Sequence, residues 1–543
     1  MHKDAREEAP RHRPRWPWVL LLLAMTWVAL VRVPLIRNAE AHLDSDLAVD
    51  GLTLRDATRG LWRWHYPGTP HIGIGPVLLS LPQARIAGAG PTPLVSGGLV
   101  AYEALVLATF VLARRAFDAD VAAWGLVPLA FASTGMVWLS GRVTGGHLLA
   151  VSWHAGAFAL LYDALAHGGV RRAAALGLWC GLGLYLDAMF AFTLAGLVPA
   201  AIVGGWTGPG RTPAIRCAAA FVLAGLVGVL PREVGRRVDP HDAYREQFAP
   251  LLDPAVLAEH GRLLARDCLP RLIVGRRLPG LQTDPSPAAL GRRRVARAIA
   301  GTDPIAWAAT ALGLGLFAAA LGALIWASGP GPRAPAEDRA RAAVRRGLLV
   351  SAAAVVVAFV VNRNIYNSDN YRYLVTLLVP YAVGSGLALR GLWHRGRPGA
   401  VAAAGVALGL AALMTVETAR WYERFGWIDA GWRPVQVVRV DPALAWLREH
   451  PEVTHVFGDY WDVYRLAYLT GGRVRGIPYP IYPNRFPGWS RGLGPGRGRL
   501  AVVRPAPGWR QFLLSAWGQD GRTPAELRRV DIVEWPGLRT ESR

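Results

Sequence analysis

Three carboxylates lie close together just after the first apolar run of the chain. That run covers residues 16–36, long enough to cross a bilayer, and the segment beyond it reads Asp44-Ser45-Asp46-Leu47-Ala48-Val49-Asp50-Gly51-Leu52. Carboxylates at a membrane surface can act as a catalytic base or as part of a metal site for a lipid-borne substrate. The structural alternative is that Ser45 or Asp46 caps a short surface helix ending at Gly60.

Further polar clusters fall at the ends of later apolar runs. They are His65, Tyr66 and His71 after the first segment, Arg142 and His147 in SGRVTGGH, Asp187 in LGLYLDAMF, and Asn362-Arg363-Asn364 through Asp369-Asn370-Tyr371-Arg372-Tyr373. Glycosyl transfer from a lipid phosphate needs a carboxylate that orients or deprotonates the acceptor hydroxyl, and arginine to bind the departing phosphate. The alternative is that Asp187 and Arg372 pair structurally with neighbours near the lipid headgroups.

The composition indicates a polytopic membrane protein. The 543 residues are 52% hydrophobic and 18% charged, with a mean hydropathy of +0.24, and the apolar residues gather into runs of membrane-spanning length. The net charge of +22 does not predict nucleic-acid binding, because the arginines are scattered through every loop and form no single basic face. The 3 cysteines have no metal or redox spacing.

The apolar runs predict about eleven membrane spans. They cover residues 16–36, 92–113, 121–140, 146–166, 173–187, 188–206, 216–231, 304–327, 347–362, 372–390 and 399–417. Arginine-rich short loops and the basic N-terminal tail alternate with the long segments, so the positive-inside rule puts the N-terminus in the cytoplasm. Residues 37–91, 232–303 and 418–543 then lie outside. The stretch 71–87 is short and interrupted by Pro76 and Pro82, and we expect it to lie in the interface without crossing.

After residue 417 the long apolar runs give way to shorter segments of helix and strand length. Asp441-Pro442 forms a helix start that runs to His450, and residues 453–457, 474–477 and 500–503 are β-branched or apolar runs of strand length. We therefore predict a transmembrane domain over 1–417, with outer loops 37–91 and 232–303, and an extracytoplasmic α/β domain over 418–543.

The chain resembles the GT-C glycosyltransferases related to protein O-mannosyltransferases and bacterial aminoarabinose transferases. The segment 44–52 looks like their first-loop signature, and Tyr66-Pro67-Gly68 with Gly73 is similar to the Tyr-x-Gly stretch that follows it. Later similarities are Tyr371-Arg372-Tyr373-Leu374, Asp459-Tyr460-Trp461, Tyr464-Arg465-Leu466 and Asn484-Arg485-Phe486-Pro487. The resemblance implies a polyprenyl-phosphate-sugar donor and an active site on the outer face of the cytoplasmic membrane.

Two departures from the family pattern affect the chemistry. The acidic pair Asp-Glu of the family is Asp46-Leu47 here, and Gly73-Ile74-Gly75-Pro76 occupies the region where relatives carry a further Glu. If that Glu orients the acceptor or a metal in relatives, Asp44, Asp50 and His71 are the local candidates to substitute for it.

Our favoured hypothesis is an inverting glycosyltransferase with Asp46 as catalytic base. Arg372 would bind the donor phosphate beside Tyr371, Arg142 and His147 would form the opposite wall, and Asp187 would contact substrate. The acceptor would be a lipid, a glycan or a protein. We expect no cofactor, although Asp44 and Asp46 leave room for a divalent cation. The alternative is a non-catalytic lipid-glycan binder or flippase-like transporter on the same scaffold.

Overall fold

A computed structural model gives the architecture of the chain. It describes residues 15–204, 211–244, 249–276, 278, 303–326, 334–438, 441–493, 498–519 and 523–535.

A bundle of apolar helices makes up the first part of the chain. Up to residue 238 the helices are α1 (Trp16–Val31), α2 (Val33–Arg37), α3 (Ala39–His42), α4 (Ser45–Thr58), α5 (Gly75–Leu78), α6 (Leu81–Ala87), α7 (Pro91–Ala116), α8 (Ala119–Gly125), α9 (Val127–Ala130), α10 (Thr134–Leu139), α11 (Leu148–His167), α12 (Val170–Leu186), α13 (Ala191–Val203) and α14 (Arg211–Val238). They continue with α15 (Pro254–Leu263), α16 (Leu269–Val274), α17 (Pro304–Trp326), α18 (Ala336–Val361), α19 (Leu378–Trp393) and α20 (Arg397–Phe425).

Within the described ranges, eight helices are long and apolar enough to cross a membrane. They are Trp16–Arg37, Pro91–Ala116, Leu148–His167, Ala214–Val238, Pro304–Trp326, Ala336–Val361, Ser368–Trp393 and Arg397–Phe425. The chain is therefore an α-helical polytopic membrane protein, as predicted, while the count of eleven spans stays a prediction.

The three remaining predicted spans are shorter or broken. The run 121–140 divides into α8, α9 and α10, because Pro128 begins a new helical turn and the Ser133 side chain caps α10 by accepting from the Met136 N–H. The runs 173–187 and 188–206 form α12 and α13, which are separated at Asp187. Hydropathy alone does not register such breaks, because proline and serine in a run barely lower its average.

Glycine contacts hold α12 tightly against α14. A Cβ on Gly177 would lie 2.0 Å from the carbonyl oxygen of Phe221, and one on Gly181 would lie 2.1 Å from that of Gly225. Small residues four apart allow two membrane helices to approach to backbone contact. This packing fixes the end of α12, where Asp187 lies.

The segment 71–87 forms no long helix. Strand β1 (His65–Tyr66) pairs antiparallel with β2 (Thr69–Gly73), and the short helices α5 and α6 follow. Neither helix is long enough to span a bilayer. The hairpin instead brings Tyr66, Thr69 and His71 to the same end of the bundle as α4.

The C-terminal region contains a small parallel sheet. Its strands are β3 (Val453–Gly458), β4 (Arg475–Pro478), β5 (Arg499–Val503) and β6 (Asp531–Trp535), in the order β4-β3-β5-β6. Helix α22 (Tyr460–Leu469) connects β3 to β4, while α23 (Trp509–Gln519) and α24 (Pro524–Leu527) lie between β5 and β6. The three predicted strands and the helix after Asp441, α21 (Pro442–Glu449), are confirmed, and β6 was not predicted. Helix α20 runs to Phe425, so the domain boundary predicted after residue 417 falls inside it.

Helix α22 attaches this α/β region to α4. The Ser45 hydroxyl donates to the carbonyl oxygen of Tyr460 at 2.5 Å, and the Tyr468 ring packs where a Cβ on Gly51 would be. Tyr468 also donates through its hydroxyl to the carbonyl oxygen of Ala89. The glycine of the 44–52 segment thus serves a close helix contact, and this contact places Tyr460 beside Asp46.

Candidate active site

A cavity of about 590 Å³ lies where α4, the β1–β2 hairpin and the ends of several membrane helices meet. One part of its wall is polar and another part is apolar. The polar side chains are Asp46, Tyr66, Thr69, His71, Thr144, His147, Asp187, Arg232, Tyr244, Asn362, Asn364, Tyr366, Arg372, Tyr373 and Arg485. The apolar part includes Leu184, Met189, Phe192, Val355 and Phe359, from α12, α13 and α18 and the turn between α12 and α13.

Asp46 lies among three arginines and a tyrosine. Its Oδ2 is 3.7 Å from Nη1 of Arg372 and 3.8 Å from Nη2 of Arg142. Its Oδ1 is 3.8 Å from Nη2 of Arg485 and accepts a 2.6 Å hydrogen bond from the Tyr460 hydroxyl. Burial opposes ionisation of Asp46, but the guanidinium charges of Arg485, Arg372 and Arg142 outweigh it and lower the pKa of this carboxyl.

Asp44 holds Arg142 in place. Its two oxygens accept from Nη1 and Nη2 of Arg142 at 2.6 and 3.0 Å, and Oδ1 also accepts from the Leu47 N–H as the N-cap of α4. The loop that carries Arg142 lies directly on α7, where a Cβ on Gly98 would be 2.7 Å from the Arg142 backbone nitrogen. Asp44 and Arg142 do not line the cavity themselves, and they act on it through the contact of Arg142 with Asp46.

Asp50 lies one turn further along α4 and away from the cavity. The Thr144 hydroxyl donates to its Oδ1 at 2.5 Å. Burial raises the pKa of Asp50 to about 7, although the hydrogen bonds from Thr144 act in the opposite direction. Asp50 therefore fixes the loop that carries Arg142 and His147.

His147 and Asp187 form a hydrogen-bonded pair on the cavity wall. Nδ1 of His147 is 2.6 Å from Oδ2 of Asp187, and both side chains are buried. Asp187 also accepts from the Met189 N–H and forms a β-bridge with Ile72. These contacts join the loop before α11, the end of α12 and strand β2.

His71 and Tyr371 differ in their relation to the cavity. His71 lies on β2 and lines it, and burial lowers the pKa of this imidazole to about 4. Tyr371 does not line it: its hydroxyl donates to the carbonyl oxygen of Gly135 at 2.9 Å, beneath the guanidinium of Arg271. In the 3-10 helix Ser368–Leu377, consecutive side chains point about 120° apart, so Arg372 faces the cavity while Tyr371 faces the bundle.

The structure adds residues that were not among the predicted site residues. Arg485 reaches Asp46 from the α/β region, and its guanidinium lies over the Tyr244 ring at 4.5 Å and over the Tyr66 ring at 5.1 Å. Its Nη2 donates to the Tyr244 hydroxyl at 2.9 Å, and its Nη1 donates to Thr69. Arg485, Tyr460 and Tyr66 belong to the motifs that carry the GT-C resemblance, whereas no sequence signal distinguished Tyr244 or Arg232.

The described part of the site is rich in positively charged arginine side chains and poor in clustered metal ligands. Within the described ranges, no group of three or more His, Cys, Asp or Glu side chains converges to hold a metal ion. Both oxygens of Asp44 are engaged by Arg142, so Asp44 and Asp46 do not present a shared cation site. The arrangement is instead suited to an anion held beside one fixed carboxylate.

Comparisons with known proteins identify the fold. No family model matches the sequence, and no curated protein matches it. The structure of ArnT from Cupriavidus metallidurans bound to undecaprenyl phosphate aligns with a TM-score of 0.50 at 14% identity, covering 95% of this chain and 89% of that one. The oligosaccharyltransferase AglB from Archaeoglobus fulgidus, in complex with an inhibitory peptide and a dolichol-phosphate, aligns with a TM-score of 0.47 at 12% identity, covering 96% and 69%. The likeness to ArnT shows the GT-C fold, which confirms the resemblance at the level of fold.

Proposed function

We propose that this chain is a membrane glycosyltransferase that moves a sugar from a polyprenyl-phosphate donor to an acceptor hydroxyl. The reaction takes place at the outer face of the cytoplasmic membrane and inverts the anomeric centre. The observation that carries the proposal is the carboxylate of Asp46, which lies on the wall of a cavity with a polar and an apolar side and is surrounded by the guanidinium groups of Arg142, Arg372 and Arg485.

The arginines supply the phosphate site. Arg372 touches Asp46 through one nitrogen, while its Nε is buried and has no hydrogen-bond partner among the described residues. A buried guanidinium donor without an acceptor is costly, and a phosphate oxygen would satisfy it. Arg485 lies on the other side of Asp46 and completes a cationic pair for a group that gains negative charge as the sugar leaves.

The apolar wall suits the lipid part of the donor. Leu184, Phe192, Val355 and Phe359 line this part of the cavity from membrane helices α12, α13 and α18. A prenyl chain placed there stays in a hydrocarbon environment while its phosphate reaches the arginines. The related fold of ArnT, which was solved with undecaprenyl phosphate, supports this class of donor.

Asp46 acts as the base in a direct displacement. The acceptor oxygen attacks the anomeric carbon, the bond from that carbon to the phosphate oxygen breaks, and the hydroxyl proton moves to the carboxylate. The guanidinium charges keep Asp46 ionised and ready to accept this proton. Tyr460 fixes the direction of the carboxylate through its 2.6 Å hydrogen bond. The acceptor is a lipid, a glycan or a protein.

A turnover assay tests the proposal. Purified protein would be incubated with undecaprenyl-phosphate donors carrying radiolabelled hexoses or pentoses and with a detergent extract of the cell envelope. We expect labelled product and free undecaprenyl phosphate, and we expect both to be lost in Arg372→Gln. The matched control is Arg510→Gln, because the Arg510 side chain is 79% exposed on the α/β region.

The same assay separates the enzyme from its alternative. A lipid-glycan binder or flippase-like transporter would bind undecaprenyl phosphate and release none from any donor. That result would contradict the proposed transfer.

A further inference from the structure

The cavity holds a second acid–base group besides Asp46. We infer that His147, held by Asp187, is a further catalytic residue, which takes over the acceptor's proton from Asp46. The inference rests on the proposed glycosyl transfer and extends it to the fate of that proton.

The geometry defines which nitrogen of His147 is available. Asp187 is fixed by the Met189 N–H and by its bridge to Ile72, and its Oδ2 lies 2.6 Å from Nδ1 of His147. A carboxylate at Nδ1 favours the tautomer that carries a proton there, so Nε2 keeps a lone pair. This is the arrangement by which a carboxylate orients a histidine base.

The backbone of His147 indicates that its side chain serves a function. His147 has φ 52° and ψ 14°, in the left-handed region that favours glycine. It follows Gly145 and Gly146, in a loop so tight that a Cβ on Gly146 would lie 2.6 Å from the carbonyl oxygen of Leu139. A third glycine would relieve the strain at this position. A side chain other than glycine in such a strained backbone conformation is typical of functional sites.

Asp46 needs a partner that accepts its proton. Three guanidinium groups lower the pKa of Asp46, so the protonated carboxyl gives up its proton more readily than an ordinary aspartic acid. His71 lines the same cavity, but burial lowers the pKa of its imidazole to about 4, which makes it a weaker base than an ordinary histidine.

His147 faces the charged and titratable groups of several elements. Asp187 bonds to it from the end of α12, and the Tyr373 ring lies 5.8 Å from its own ring. Beyond these, His71 on β2, Arg232 on α14 and Arg372 line the same cavity. The hydrogen-bonded carboxylate of Asp187 stabilises the imidazolium that forms.

Every bond and proton in the proposed step is accounted for by the acceptor, the donor phosphate, Asp46 and His147. The acceptor oxygen bonds to the anomeric carbon, and the electron pair of the broken bond stays on the phosphate. The hydroxyl proton passes to Asp46 and then to Nε2 of His147, while the Nδ1 proton stays shared with Asp187. His147 then releases the proton to water, so that Asp46 is ionised and Nε2 of His147 is unprotonated when the next donor binds.

A rate–pH profile tests the inference on the full-length protein. For the unaltered protein we expect the rate to fall once the buffer is acidic enough to protonate Nε2 of His147, because a protonated histidine accepts no proton. His147→Gln should lower the rate by about a hundredfold or more and remove this fall, while undecaprenyl phosphate still binds. His394→Gln is the matched control, because the His394 side chain is 56% exposed and lies outside the cavity.

A second variant tests the inference if His147→Gln fails to fold. His147→Gly suits the left-handed backbone, and its rate should recover when imidazole is added but not when pyrazole, a much weaker base of the same size, is added.

The possible results separate the two proposals. Full activity and an unchanged pH profile in His147→Gln, or a glycine variant that imidazole does not rescue, would overturn the role of His147 and leave the proposed transfer intact. Loss of undecaprenyl phosphate binding in the glutamine variant would make His147 a binding residue and would also overturn it. Absence of turnover by the unaltered protein with every donor would refute the proposed function and, with it, this inference.

Discussion

Replacing Asp46 by Asn should greatly slow turnover and at the same time tighten the binding of undecaprenyl phosphate. The carboxylate is the base of the proposed reaction, but before the donor arrives it also occupies the guanidinium groups that would bind the phosphate. Arg372 and Arg485 lie 3.7 and 3.8 Å from its two oxygens. Asparagine keeps the size of the side chain and removes the negative charge.

The expected size of each effect follows from the charges. Loss of the base should lower the rate by roughly a hundredfold to ten-thousandfold. The negative charge of the Asp46 carboxylate and that of a lipid phosphate bound about 6 Å away would repel each other by roughly 3 kcal/mol at an effective dielectric constant near 20. Relief of part of this repulsion should lower the Kd for undecaprenyl phosphate by about tenfold or more. Without a lipid anion, three guanidinium groups lose their common partner, and the melting temperature should fall.

The assay compares lipid binding, melting temperature in detergent and turnover for the same preparations. Addition of undecaprenyl phosphate should restore the melting temperature of Asp46→Asn, because the phosphate replaces the missing anion. Asp531→Asn is the control, since the Asp531 side chain is 60% exposed on strand β6. Weaker lipid binding by Asp46→Asn than by the unaltered protein, or full turnover, would refute the reasoning.

Four further outcomes are expected. Tyr460→Phe removes the 2.6 Å hydrogen bond to Asp46 and the acceptor of Arg485 Nε, and it should lower the initial rate by about tenfold and also lower the melting temperature. Burial raises the pKa of Asp50 to about 7, so its protonated form favours folding, and stability should decline by on the order of 4 kcal/mol as pH rises from about 4 to 7. Melting curves of Asp50→Asn should lack this decline. A chelator should leave turnover nearly unchanged, and strict dependence on Mg²⁺ or Mn²⁺ would contradict the metal-free scheme. An alkaline phosphatase reporter, active only outside the cytoplasm, should work after Gly60 and fail near Gly169.

The sequence predicted that four of the candidate site residues, which lie at or near the ends of apolar runs, come together. Asp46, His147, Asp187 and Arg372 each follow or precede an apolar run, and the arginine pattern puts all four on one side of the membrane. They line one cavity in the structure. Tyr371 shows the limit of such an argument, because in a 3-10 helix the neighbour of a cavity residue points elsewhere.

Sequence patterns did not predict which residues the α/β region contributes to the candidate site. Tyr460 and Arg485 lie more than 400 positions from the residues of the hairpin and α4 that they contact. Their placement depends on the packing of Tyr468 against Gly51 and on the bond from Ser45 to Tyr460. Local periodicity carries no information on such long-range packing, and only the motif resemblance marked these two residues.

The shared site links membrane topology to the role of the α/β region. Asp46 contacts Arg142, Arg372 and Arg485 in one cluster, so the three segments that carry these arginines must lie on the same side of the membrane. The arginine pattern of the loops predicts that this side is the outer one. Because Arg485 supplies one of the three positive charges around Asp46, removal of the α/β region would leave Asp46 with two arginines and without Tyr460. The region is therefore part of the proposed catalytic site and more than an appended domain.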